Sequence, residues 1–212
     1  MEKTVLRSYE EVAKEIGART NTNPGFVLEL MLSDNIGGHA FDDVNQKNKN
    51  WPPRSMHESE GRVLHALVRI TKPEVAVEIG TWRGCSASHI ASALYQNNFG
   101  TLHAIDPDMD LSEVDPKYLK HIEQHKISCF KWNPPSDIDF MLEDGVHCPG
   151  FTESVWTRFA PYMRKGSIGA SHDIFFEHYV YFLEQEFRKV LGDNYIRIQI
   201  PPSPCGIAIA FL

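Results

Sequence analysis

Residues 75–86, VAVEIGTWRGCS, decide the fold. The run from Val75 to Ile79 is apolar and rich in β-branched residues, with Glu78 its one charge. A short run of this kind, ended by glycine, reads as a buried strand over 75–80. Gly80 and Gly84 let the chain turn tightly and let a ligand come close to the backbone. Ser86 is placed to cap the helix expected over 86–96, and the free N–H groups at such a helix start favour a carboxylate. A dinucleotide fingerprint needs G-x-G-x-x-G. Here the pattern is Glu-x-Gly-x-x-x-Gly. Glu78 would penalise a pyrophosphate and suits an ammonium group instead.

Outward from this segment, strands and helices alternate. Strands are expected over 101–106, 127–132, 138–143 and 167–172, and helices over 116–125, 151–162 and 177–191. Strands over 195–200 and 206–212 follow, joined by Pro-Pro-Ser-Pro-Cys without a helix. The pattern predicts an α/β fold with a mainly parallel sheet covered on both faces and an antiparallel final pair. Upstream, Ser8 caps a helix over 8–18, Pro24 starts one over 24–33, and a third covers 59–71. The polar stretch 35–53 reads as a lid loop. The expected organisation is residues 1–54 as N-terminal helices and lid, and 55–212 as one globular unit.

In an open parallel sheet, ligands bind beyond the carboxyl ends of the strands. Those ends carry residues 78–86, 106–108, 144–147 and 172–173, all rich in glycine, carboxylate or imidazole. Asp106 is placed to accept both hydroxyls of a ribose. Asp144 and Asp173 offer hard oxygen ligands for Mg²⁺ or another divalent cation, and His172 can join them. His147, with a side chain that titrates near neutrality, is placed to take a proton from a substrate hydroxyl. The competing structural reading makes Asp144 and Asp173 helix caps and His147 a satisfied structural histidine.

The string Glu78-Ile-Gly-Thr-Trp-x-Gly-x-Ser86, preceded by Glu60-Gly61 and followed by Ala104-Ile-Asp-Pro-Asp108, resembles class I S-adenosylmethionine-dependent methyltransferases. Among them it is similar to the small-molecule O-methyltransferases of the caffeoyl-CoA and macrocin type, over residues 55–212. The resemblance implies a Rossmann-like, seven-stranded, mainly parallel sheet with an antiparallel last strand. It implies S-adenosyl-L-methionine as cofactor, held by Glu78, Gly80, Thr81, Gly84, Ser86, Asp106 and Asp144. An un-ionised alcohol is a poor nucleophile toward a sulfonium methyl, so a base, a metal or both must assist. Asp144-Gly-x-His147 and Asp173 resemble the metal and base positions of macrocin-type enzymes, but His172 stands where those often carry Glu. The segment 130–136 also departs from the Gly-Asp-Ser/Ala turn of related enzymes, so adenine contacts stay unassigned and Trp132 is expected in the core.

The bulk numbers narrow the function classes. The net charge of −7 gives no general attraction to nucleic acid or anionic membrane. Apolar content of 42% and charged content of 23% suit a soluble globular chain. Cys85, Cys129, Cys148 and Cys205 form no C-x-x-C pair, and the charged N-terminus has no apolar leader core. A reducing cytoplasm, a small-molecule acceptor, no nucleic acid and no membrane are the expected setting, with a homo-oligomer left open. Two rivals remain: a non-catalytic regulatory protein that binds S-adenosylmethionine, and a nicotinamide-dependent oxidoreductase, disfavoured by the missing third glycine. His121 and His125, four apart on the helix expected over 116–125, read as a solvated face.

Overall fold

Successive residues of a strand point to opposite faces of its sheet, and this period sorts the core into two layers. The computed structural model describes residues 4–34, 36, 56–175 and 181–212. The elements are β1 (Val5–Leu6), α1 (Tyr9–Thr20), α2 (Pro24–Leu32), α3 (Glu58–Thr71), β2 (Val75–Ile79), α4 (Cys85–Asn97), β3 (Thr101–Ile105), α5 (Pro116–Leu119), β4 (Ile122–His125), β5 (Ile138–Glu143), α6 (Phe151–Phe159), β6 (Met163–His172), α7 (Tyr181–Leu191), β7 (Tyr195–Ile198) and β8 (Ile207–Phe211). The sheet order is β1-β7-β8-β6-β5-β2-β3-β4, parallel except for β8, which runs against both neighbours. Ala76, Leu102, Ala104, Phe140 and Leu142 pack under α1 to α4 on one face. Val75, Val77, Ile79, Ile105 and Met141 pack against Val155, Trp156, Phe159 and Phe187 on the other. β2 lies between β3 and β5, so the chain steps one way to β3 and β4 and then returns across β2 to β5. That reversal opens a crevice at the carboxyl ends of β2 and β5.

The α/β class, the mainly parallel sheet and the antiparallel last strand are as expected. Ser8 caps α1, its hydroxyl accepting from the Glu11 amide at 3.2 Å. Three expectations are corrected. The sheet has eight strands rather than seven, because Val5 and Leu6 add a short parallel edge to β7. The helix expected over 116–125 stops at Leu119, and residues 122–125 form edge strand β4. β3 has an open flank whose backbone groups need partners, and the Leu102 amide donates to His121 O at 2.8 Å. That tertiary demand overrides a weak helical propensity. The strand expected over 127–132 is instead a 3-10 turn at Cys129–Lys131 with Phe130 exposed. The lid expected over 35–53 lies outside the described residues apart from Ile36, and the last helix is described from Tyr181 onward. No helix among the described residues is long and apolar enough to cross a membrane.

Candidate active site

The crevice is a cleft of about 660 Å³ at the carboxyl ends of β2, β3, β5 and β6. Backbone hydrogen bonds hold its floor together: the Gly80 amide donates to Ile105 O and the Asp144 amide to Ile79 O, both at 2.9 Å. Gly80 has φ +89°, and a Cβ there would stand 2.0 Å from the Asp144 carbonyl oxygen. Neither the conformation nor the space admits a side chain. Gly80→Ala is therefore expected to destabilise the fold by roughly 2–4 kcal/mol, the sum of a left-handed penalty and an overpacked contact. A melting curve checks this.

α4 begins at Cys85 with Gly84 as its N-cap, in the left-handed region and without a side-chain cap bond. Ser86 is not the cap; it is the second residue of the helix and lines the cleft. The helix start thus keeps backbone donors for an anionic group. Asp106 stands opposite, at the end of β3. The Trp82 amide donates to one of its oxygens at 2.9 Å and the Asp108 amide to the other at 2.7 Å. These bonds orient the carboxylate and leave lone pairs for further donors.

Glu78 lies behind this wall. It is fully buried, and neither of its oxygens has a hydrogen-bond partner among the described residues, nor does the Thr81 hydroxyl. Burial pushes its carboxyl up to about 7; the nearby Ser86 and Thr81 hydroxyls offset part of that, while Asp144 and Asp106 add to it. A buried acid with no partner beside an anion-ready helix start suits an approaching cation.

The other end of the cleft is a chain of carboxylates and imidazoles. His172, fully buried in the wall, holds Glu60 Oε2 at 3.0 Å through Nε2 and Asp144 Oδ1 at 3.2 Å through Nδ1. Its other acidic neighbour, Asp173, lies 3.5 Å from Nδ1. Burial disfavours its charge, but Asp173, Asp144 and Glu60 together raise its pKa well above the ordinary value. In this arrangement both ring nitrogens of His172 face carboxylate oxygens. Glu60 accepts at its other oxygen from the Ser203 hydroxyl and the Gly206 amide, both at 2.6 Å. Burial pushes Glu60 up, yet His172 and these two donors bring it below the usual range. His147 Nε2 meets Asp173 Oδ2 at 2.6 Å and stands 3.9 Å from Asp144 Oδ1, with 35% of its side chain exposed to the cleft. Burial opposes its protonation, but the bond to Asp173 and the charges of Asp173, Asp144 and Glu143 outweigh it and raise its pKa.

Of the residues singled out from sequence, Gly80, Thr81, Ser86, Asp106, Asp144, His147, His172 and Asp173 line this one cleft. Gly84 and Glu78 stand behind its wall. Trp132 packs in the core against Phe159, as expected. Sequence reasoning did not assign a site role to Glu60. The signal was present: Glu60 precedes Val63 and Leu64 by three and four residues, so it shares their buried face of α3. A carboxylate on such a face demands a partner.

Residues 77–174 match a family described as a methyltransferase domain. Over 101 residues the chain is 27% identical to a flavonoid 3',5'-methyltransferase of Vitis vinifera, covering 47% of this chain and 42% of that relative. The match therefore spans less than half the length of that protein. Among solved structures, the O-methyltransferase TomG of Streptomyces achromogenes, in complex with S-adenosylmethionine, superposes with a TM-score of 0.60 at 17% identity, over 84% of this chain and 91% of that one. An O-methyltransferase of Bacillus cereus in complex with S-adenosylhomocysteine gives 0.61 at 14% identity, over 93% and 95%. The fold is that of the class I methyltransferases.

Proposed function

We propose that the protein is an S-adenosyl-L-methionine-dependent O-methyltransferase acting on a hydroxyl of a small molecule. The observation that supports this most is the grouping of three features at one cleft: the uncapped start of α4, the oriented Asp106 carboxylate, and Thr81 on the wall with the buried Glu78 carboxyl behind it. They match an amino-acid carboxylate, a ribose and an ammonium in turn. The cofactor supplies an electrophilic methyl on a sulfonium ion. His147 faces the acceptor end. With Nε2 committed to Asp173, Nδ1 is the nitrogen that takes the hydroxyl proton as the oxygen–carbon bond forms and the carbon–sulfur bond breaks. Asp173 orients the ring and stabilises the imidazolium that results.

Calorimetric titration with S-adenosylhomocysteine and with NADH tests the cofactor. Tight binding of the first alone is expected, and preference for NADH would overturn the reading. Methyl transfer to a panel of phenols and alcohols tests the base. His147→Ala is expected to lose at least about a hundredfold in turnover while cofactor affinity changes little; full activity in that variant would sink the assignment. Because Asp173 raises the pKa of His147, the rate is expected to rise with pH through a value above 6.5. Asp173→Asn should move that limb to lower pH.

Metal assistance is a second reading with its own support. Ligand atoms of Asp144, His147 and Asp173 lie within 4.8 Å of one another, a donor set that fits a divalent cation such as Mg²⁺. A cation there would act as a Lewis acid on the acceptor hydroxyl. A cation held through Nε2 of His147 would replace its bond to Asp173; loss of activity in EDTA, restored by added cation, supports the metal, and unchanged activity in EDTA overturns it.

A further inference from the structure

Outside the cleft, the sheet brings a second group of metal-ligating side chains together on its β4 edge. His103 lies on β3, directly across from Glu123 on β4, and His125 follows two residues after Glu123. The period of two therefore puts all three on one face. His103 Nδ1 and His125 Nε2 are 3.1 Å apart. Glu123 closes the triangle, its oxygens 3.6 Å from the first nitrogen and 3.7 Å from the second. The two ring nitrogens thus lie within hydrogen-bond distance of each other.

We propose that His103, Glu123 and His125 form a second divalent-metal site, suited to Zn²⁺ and similar ions, that clips edge strand β4 to β3. Ligands of a four-coordinate zinc, each about 2.0–2.2 Å from the ion, lie about 3.3–3.5 Å from one another. The two nitrogens stand slightly closer than that, and one carboxylate oxygen stands slightly beyond it from each ring, so a small rotation of the rings and of the carboxylate admits the ion. Two imidazoles and one carboxylate are the donor set of zinc and its neighbours rather than of Mg²⁺ or Ca²⁺. Trp132 walls one side, its ring 5.4 Å from that of His103 and 5.2 Å from that of His125. Glu123, with 59% of its side chain exposed, opens the site to solvent and leaves room for water as a fourth ligand. The clip adjoins the cleft through the backbone, since the Asp106 amide donates to His125 O at 3.2 Å.

Equilibrium dialysis against Zn²⁺, with melting curves of the same samples, tests the proposal on the full chain. His103→Ala, His125→Ala and Glu123→Gln are each expected to weaken one bound ion by at least tenfold and to abolish the Zn²⁺-induced rise in melting temperature. His147→Ala, which alters the cleft cluster, should keep both. Glu123→Gln is the decisive variant because its exposed side chain carries no packing, so its metal-free melting temperature should equal that of the parent. Zn²⁺ binding unaffected by Glu123→Gln and His125→Ala, or lost only with His147→Ala, would overturn the proposal.

Discussion

Replacing Glu78 with Gln is expected to raise the melting temperature of the ligand-free protein at about pH 8 and to weaken its hold on S-adenosyl-L-methionine. Burial lifts the carboxyl of Glu78 from 4.5 to about 7. Between those two values the unfolded chain loses its proton before the folded one does. Stability therefore falls as pH rises through that window, and above it the fold carries the full cost of a buried charge. The difference amounts to about 3 kcal/mol, at about 1.4 kcal/mol per pKa unit. For a chain of this size it corresponds to roughly 6–12 °C in melting temperature. Glutamine keeps the shape and the buried polar atoms and removes only the charge. Melting curves across pH check the sign: the gap between variant and parent should close by about pH 4. The opposite change is expected in cofactor affinity, with a loss of about tenfold or more, because the charge that burdens the empty protein is the one that attracts an ammonium. A variant that is stabilised yet binds undiminished would remove Glu78 from the cofactor site.

The second large effect is expected at Glu60. Truncation to Ala leaves His172, fully buried, with its Nε2 unpaired, and orphans the Ser203 hydroxyl and the Gly206 amide. Breaking one side of a buried ion pair costs about 3–5 kcal/mol, chiefly through the charge left behind. The double variant Glu60→Gln/His172→Gln should lose less than the sum of its single changes, since each single change strands a partner that the double change removes. Urea denaturation of the four proteins gives the coupling directly. Additive losses would mean that the pair contributes packing alone.

These two carboxylates also mark where the sequence was legible and where it was not. Glu78 sits inside an unmistakable apolar strand, so its place near the end of a buried strand could be read from residues 75–86 alone. Its exact position could not: only the packing of Ser86 and Thr81 in front of it shows that it backs the cleft rather than lining it. Glu60 is held by residues 112 to 146 positions away, through His172, Ser203 and Gly206. No local pattern specifies such partners. The segment 116–125 failed for the same reason. Its local composition allows a helix, and only the open flank of β3 makes residues 122–125 a strand. That correction moved His125 from a supposed solvated helix face to a place beside His103.

The short strand β1 carries a consequence for the order of assembly. Its pairing with β7, the Gln199 amide bond to Leu6 O, and the contact between Arg7 and Gln199 join groups up to 193 residues apart. Contacts of that separation incur the largest loop-closure entropy and return little when only two residues pair. β1 should therefore dock after β6, β7 and β8 have formed their antiparallel ladder, and it should be the first to leave. In hydrogen exchange, the Gln199 amide is expected to exchange faster than those of Ala208 and Ala210, making this edge a seam that opens while the rest of the sheet stays closed.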